Sequence, residues 1–103
     1  MELKNSVVLV TGSARGIGYA IAEHCAKRGA KIVLSDVMEA EVKAAGETLA
    51  KETGVEVLAV ACDVTNEASV TGMYAAVAQR FGGLDFRPFD EAESDVLVIV
   101  AGR

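Results

Sequence analysis

Apolar runs of strand length alternate with amphipathic stretches of helix length along this chain. Ser6-Val7-Val8-Leu9-Val10 is continuously apolar, the pattern of a strand covered on both faces. Ile17, Ile21, Ala22, Cys25 and Ala26 then recur at helical spacing, and the helix they predict ends at Arg28 with Gly29 as its stop. Lys31 to Ser35 reads as a second strand. A second helix is predicted from Met38 to Thr53, with Val42, Ala45, Leu49 and Thr53 along one side and Gly54 closing it. Gly46 lies inside that helix, where glycine costs about 1 kcal/mol against alanine. Glu56 to Ala61 is the third strand.

Thr65 is placed to cap a third helix, with Glu67 in its first turn and Val70, Met73, Val77 and Phe81 as its buried stripe. Gly82-Gly83 ends it. A polar, acidic stretch from Asp85 to Asp95 holds the only proline, Pro88, and Val96 to Val100 is a fourth strand. The order βαβαβαβ, with helices of this length between strands, predicts right-handed crossovers and a parallel sheet. The expected fold is an α/β half-Rossmann unit: one domain over residues 1–103, three layers, and a four-stranded parallel sheet of order 3-2-1-4.

Bulk properties narrow the function. At 103 residues the chain suits one core. No apolar run reaches the roughly 18 residues that span a membrane, and nothing at the N-terminus suggests secretion, so a cytoplasmic location is expected. A net charge of −5 disfavours nucleic acid, which needs a basic face. Cys25, Cys62 and His24 lack metal-ligand spacing, so both thiols read as small apolar fillers and no metal is expected.

The candidate chemistry lies between the first strand and first helix, in Thr11-Gly12-Ser13-Ala14-Arg15-Gly16-Ile17-Gly18. Glycines that begin where a strand ends and finish in the first turn of a helix suit a dinucleotide. Gly12 permits the tight turn. Gly16 lets bare backbone approach a pyrophosphate, and Gly18 lets the helix pack close to the sheet. The first amides of the helix, with its dipole, then face the phosphates. Asp36, at the end of the second strand and beside Val37, is placed to accept both hydroxyls of the adenosine ribose, unless it merely begins the second helix. Asp63, beside Val64 past the third strand, lies where the adenine edge would be, unless it is only a turn residue.

The pattern Thr-Gly-x-x-x-Gly-Ile-Gly, the acid after strand two and Cys62-Asp63-Val64-Thr65 together resemble the short-chain dehydrogenase/reductase family, in register from Met1 to about Asp85. The resemblance implies that Gly12, Arg15, Gly16, Ile17 and Gly18 line the pyrophosphate, and Ser13 in the same turn is also expected to bind the cofactor. It also implies that Asp36, with Val37, holds the ribose, and that Asp63 and Val64 hold the adenine. Arg15 stands where some members that prefer NADP carry a basic residue. A carboxylate at Asp36 would repel a 2′-phosphate, so NAD is the expected cofactor and NADP the lesser one.

After Asp85 the chain leaves that pattern. The family's Asn-Asn-Ala-Gly is replaced by Ile99-Val100-Ala101-Gly102, and the stretch from Phe89 to Gly102 resembles the approach to strand four in lactate/malate dehydrogenases. The whole therefore reads as an engineered or recombined composite, with Ala101 and Gly102 near the nicotinamide ribose. The family's catalytic Ser and Tyr-x-x-x-Lys are absent: Tyr19 is followed four positions on by Glu23, and Tyr74 by Ala78. The function expected is binding of NAD or its adenosine-diphosphate part without turnover. The alternatives are a folding or assembly scaffold with a vestigial site, and the cofactor-binding half of an oxidoreductase that needs a second chain. The uncharged edge of strand four, Val96 to Val100, is expected to pair two copies into a homodimer.

Overall fold

The computed structural model describes residues 6–63, 65–81 and the backbone of 96–100. Strands β1 (Val7–Thr11), β2 (Lys31–Asp36) and β3 (Val57–Ala61) alternate with helices α1 (Gly16–Ala26), α2 (Glu39–Thr53) and α3 (Glu67–Phe81). A further strand, β4 (Val96–Val100), lies parallel to β1 with Val7 opposite Val96 and Thr11 opposite Val100. The sheet runs β3-β2-β1-β4, all parallel, with Val7 opposite Lys31 and Ile32 opposite Val57. Val64, Gly82 and Gly83, the acidic stretch from Asp85 to Asp95, and Ala101 and Gly102 lie outside the described residues.

Strand periodicity divides the core in two. Val8, Val10, Ile32 and Leu34 face α1 and α2, where Ala22, Cys25, Val42 and Leu49 meet them. Val7, Leu9 and Val33 point to the opposite face and pack with Cys62, Met73 and Val77 of the α3 side. Both faces of β1 are thereby covered, which is why its sequence is apolar without alternation. Strand β3, at the edge, is only half-buried. The two free cysteines are both buried, one in each half of the core.

Helix ends depart from the sequence reading in three places. Helix α1 stops at Ala26 rather than Arg28, because Arg28 and Gly29 turn back onto the carbonyls of Cys25 and Ala26 in tighter, three-residue steps. Met38 is the cap of α2 rather than its first residue. Helix α3 is capped by Asn66, not Thr65: the Asn66 side-chain oxygen accepts from the Ser69 N–H at 3.0 Å, and its carbonyl accepts from Val70 N–H. Thr65 instead donates its hydroxyl to Asp63 Oδ1 at 2.6 Å.

Gly46 has a packing reason that its helix propensity conceals. It is buried where α2 crosses β3, and a Cβ there would stand 3.0 Å from the Ala59 Cβ and 3.6 Å from Val57 Cγ1. Gly72, exposed on α3, faces open space. Between α1 and α2, the phenol of Tyr19 is half-buried against Glu52 and Glu23. Burial, reinforced by those two carboxylates, pushes it above the ordinary tyrosine value.

Two outcomes follow from this packing. Gly72→Ala should stabilise the fold by the helix-propensity gain of up to about 1 kcal/mol, read as a higher urea midpoint. Gly46→Ala should show none of that gain, and Gly46→Val should lower stability by about 1–3 kcal/mol through overpacking. The unfolded chain ionises Tyr19 before the folded one does. Stability should therefore hold below about pH 10 and fall as pH rises past the free phenol value. Thermal melts of Tyr19→Phe should show a shallower fall over the same range, and parallel curves for the two proteins would contradict this.

Candidate functional site

At the carboxyl end of the sheet, β1 runs into the turn that starts α1. Gly12 (φ 64°) and Gly16 (φ 68°) take left-handed backbone there, which costs a side-chain-bearing residue most. Gly18 is needed for a different reason. It is buried with ordinary helical geometry, but a Cβ on it would drive into the Gly12 carbonyl oxygen and stand 3.0 Å from Ser13 Cα. Bare backbone at Gly18 lets α1 lie directly against the turn. At Gly16 the position of a Cβ opens onto empty space at the cleft.

The start of α1 is chemically unlike the other two helix starts. Its cap, Arg15, has extended backbone (φ −163°) and gives no side-chain hydrogen bond, and the first turn holds no acid. In contrast, α2 carries Glu39 and Glu41 in its first turn and α3 carries Glu67. The leading amides of α1 and the positive end of its dipole are left for an external anion.

Facing them across a cleft of about 350 Å³ is Asp36, a residue only 6% exposed. Oδ2 accepts from the Ala14 N–H at 3.1 Å and Oδ1 from the Met38 N–H at 3.4 Å. A carboxylate offers about four acceptor positions, so capacity remains for a diol. The cleft gathers Gly12, Arg15, Gly16, Ile17, Gly18 and Asp36, six of the residues singled out by sequence, and adds Met38. Ile17 stands at its edge as the most exposed of the large apolar side chains described, at 73%. The Arg15 guanidinium is turned toward Glu41 at 3.9 Å, an exposed pair of little energetic weight.

Other candidates lie elsewhere. Val37, half exposed, follows Asp36 but does not line the cleft among the described residues. Ser13 is wholly buried behind the turn. Its hydroxyl donates to the Val10 carbonyl at 2.8 Å, lies 3.3 Å from the Ser35 carbonyl, and accepts from the Ser35 N–H at 2.9 Å. It faces the scaffold, not a ligand. Asp63 organises the entry to α3: Oδ1 accepts from the Thr65 N–H and hydroxyl, and its own N–H donates to Ser69 Oγ. Met38 carries no motif that singles it out in the sequence, although a residue two steps past Asp36 comes back over the same crevice. Among the described residues there is no group of His, Cys, Asp or Glu that could hold a metal, and no helix is long and apolar enough to cross a membrane.

A family model described as enoyl-(acyl carrier protein) reductase matches residues 12–87, from the first glycine of the turn through α3. The chain belongs to the short-chain dehydrogenase/reductase family. Among members of that family, sorbitol dehydrogenase of Cereibacter sphaeroides is 38% identical over 100 residues, covering 97% of this chain and 38% of its own length. The 3-hydroxyacyl-CoA dehydrogenase type-2 of Drosophila melanogaster is 42% identical over 83 residues, covering 81% of this chain and 31% of its own. L-sorbose reductase from Gluconobacter frateurii, solved with NADPH and L-sorbose, superposes with a TM-score of 0.77 at 41% identity, over 81% of this chain and 32% of that one. The chain thus spans about a third of the length of these short-chain dehydrogenase/reductase relatives.

The contact at Gly18 gives a sharp expectation. Gly18→Ala should push α1 off the turn, lowering the melting temperature and weakening ADP-ribose binding together. Ala20, exposed on the same helix, supplies the control, and Ala20→Ser should do neither. Calorimetry and titration on the two variants check it.

Proposed function

We propose that this chain binds a nicotinamide dinucleotide by its adenosine-diphosphate half, NAD in preference to NADP. The observation that carries the proposal is the uncapped, acid-free start of α1 lying over bare backbone at Gly16, with the Asp36 carboxylate across the same cleft. The amides of α1 hold the pyrophosphate and the remaining lone pairs of Asp36 accept the ribose hydroxyls. A nicotinamide supplies hydride chemistry when bound, while the residues grouped here grip the opposite end of the molecule.

The preference for NAD rests on Asp36. A 2′-phosphate would bring its negative charge against a carboxylate that two backbone amides already hold in place. Arg15 does not offset this, since it leans toward Glu41. Relatives use both cofactors: L-sorbose reductase was solved with NADPH, and a xylitol dehydrogenase 36% identical to this chain, with a TM-score of 0.76, was solved with NAD+.

The 103 residues by themselves bind without turnover in this reading, because no Tyr-x-x-x-Lys pair occurs among them. A second reading, the cofactor-binding part of a larger oxidoreductase, is favoured by the share of its relatives that the chain covers.

Isothermal titration with ADP-ribose, NAD and NADP tests the proposal. The parent chain should bind all three, NAD ahead of NADP. In Asp36→Ala the NAD/NADP affinity ratio should fall about tenfold, equivalent to about 1.4 kcal/mol. An unchanged ratio would reduce Asp36 to a turn residue, and no binding of ADP-ribose by the folded parent would remove the site.

A further inference from the structure

Beyond the residues that line the cleft, we infer that Ser13 is a positioning residue, which fixes the glycine-rich turn to the end of β2 and thereby sets the distance between the phosphate-facing amides and Asp36. The inference rests on the cofactor site proposed above and concerns a side chain that does not touch the ligand.

Two parts of the site come from different strands. The amides belong to the turn after β1, and the carboxylate belongs to the last residue of β2. In the sheet these strands are in register up to Thr11 opposite Ser35, where β1 ends while β2 runs on to Asp36. Strand pairing therefore stops short of the rest of the turn, and Ser13 carries the link onward. Its N–H donates to the Ser35 carbonyl at 3.0 Å, and its hydroxyl accepts from the Ser35 N–H at 2.9 Å while donating to Val10 at 2.8 Å. One buried residue thus bonds to both backbone groups of Ser35 and closes back on its own strand.

The next residue along each chain completes the unit. Ala14 follows Ser13 and Asp36 follows Ser35, and the Ala14 N–H donates to Asp36 Oδ2 at 3.1 Å. With the Ser13–Ser35 clamp shut, that amide meets the carboxylate from a fixed direction. A ligand touching both the turn and Asp36 then finds the two already spaced, with no loop to order on binding. Without the hydroxyl, the Ser35 N–H loses its bond to the turn, and Ser13 keeps only its own N–H bond to the Ser35 carbonyl. Ser35 supplies a control: its own hydroxyl is buried and makes no hydrogen bond, so the clamp uses only its backbone.

The test uses Ser13→Ala and Ser35→Ala in the parent chain and in an Asp36→Ala background. ADP-ribose, which spans the turn and Asp36, and inorganic pyrophosphate, which reaches only the turn, are titrated into each. Ser13→Ala is expected to weaken ADP-ribose about tenfold in the parent but less than twofold when Asp36 is already absent, with pyrophosphate affinity little changed in both. Ser35→Ala should leave every affinity within twofold. An equal loss in both backgrounds, or none in either, overturns the positioning role. Hydrogen exchange at the Ala14 amide provides a readout that needs no ligand: Ser13→Ala should accelerate it at least tenfold, and unchanged exchange overturns the inference. Failure of the folded parent to bind ADP-ribose would instead overturn the cofactor proposal, leaving exchange to decide on Ser13. Should Ser13→Ala not fold, Ser13→Cys, whose sulfur is a weak acceptor, takes its place in both assays.

Discussion

At Gly18 the first turn of α1 rests against the carbonyl of Gly12 so closely that no side-chain carbon fits between them. The direction of the helix, the exposure of its leading amides and the width of the cleft all derive from that contact. A helix held a side chain's width farther out would aim its dipole past the end of the sheet instead of across it. The left-handed backbone at Gly12 and Gly16 brings the chain round to this approach, and the wholly buried Ser13 secures the turn from behind.

The rest of the fold supports that geometry from both sides of the sheet. Strands β1 and β2 are buried on each face, which gives the turn and Asp36 a rigid base. Helix α2 reaches its place because Gly46 lets it lie against Ala59 of β3. The arrangement is that of the short-chain dehydrogenase/reductase family, whose solved members superpose on this chain over about four-fifths of its length.

Much of this is legible in the sequence, and the exceptions share a cause. Apolar runs reveal the strands because burial on two faces leaves no room for polar alternation. The glycine spacing reveals the turn because few other residues tolerate its backbone. Side chains whose roles depend on a distant partner are not legible. By sequence Ser13 is one more cofactor-facing residue of the turn, but its partner, the Ser35 backbone, lies 22 positions away. Gly46 reads as a defect in a helix until β3 is packed against it. The family resemblance makes Asp63 an adenine contact, and the structure adds its bonds to Thr65 and Ser69 at the entry to α3, which no local pattern announces. Asn66 and Thr65 both suit a cap by composition, and only local geometry chooses between them.

The burial of one cysteine in each half of the core has a consequence for oxidation. Cys25 belongs to the layer of α1 and α2, Cys62 to the layer of α3, and the sheet lies between them. Their sulfurs cannot approach the roughly 2 Å of a disulfide while the sheet is intact. Burial also pushes the Cys25 thiol above its ordinary value, so little of it is thiolate at neutral pH. An internal disulfide would thus be a trap for the unfolded chain, formed only after the layers part and barring their return. The same sheet that presents the cleft keeps the two thiols from closing that trap.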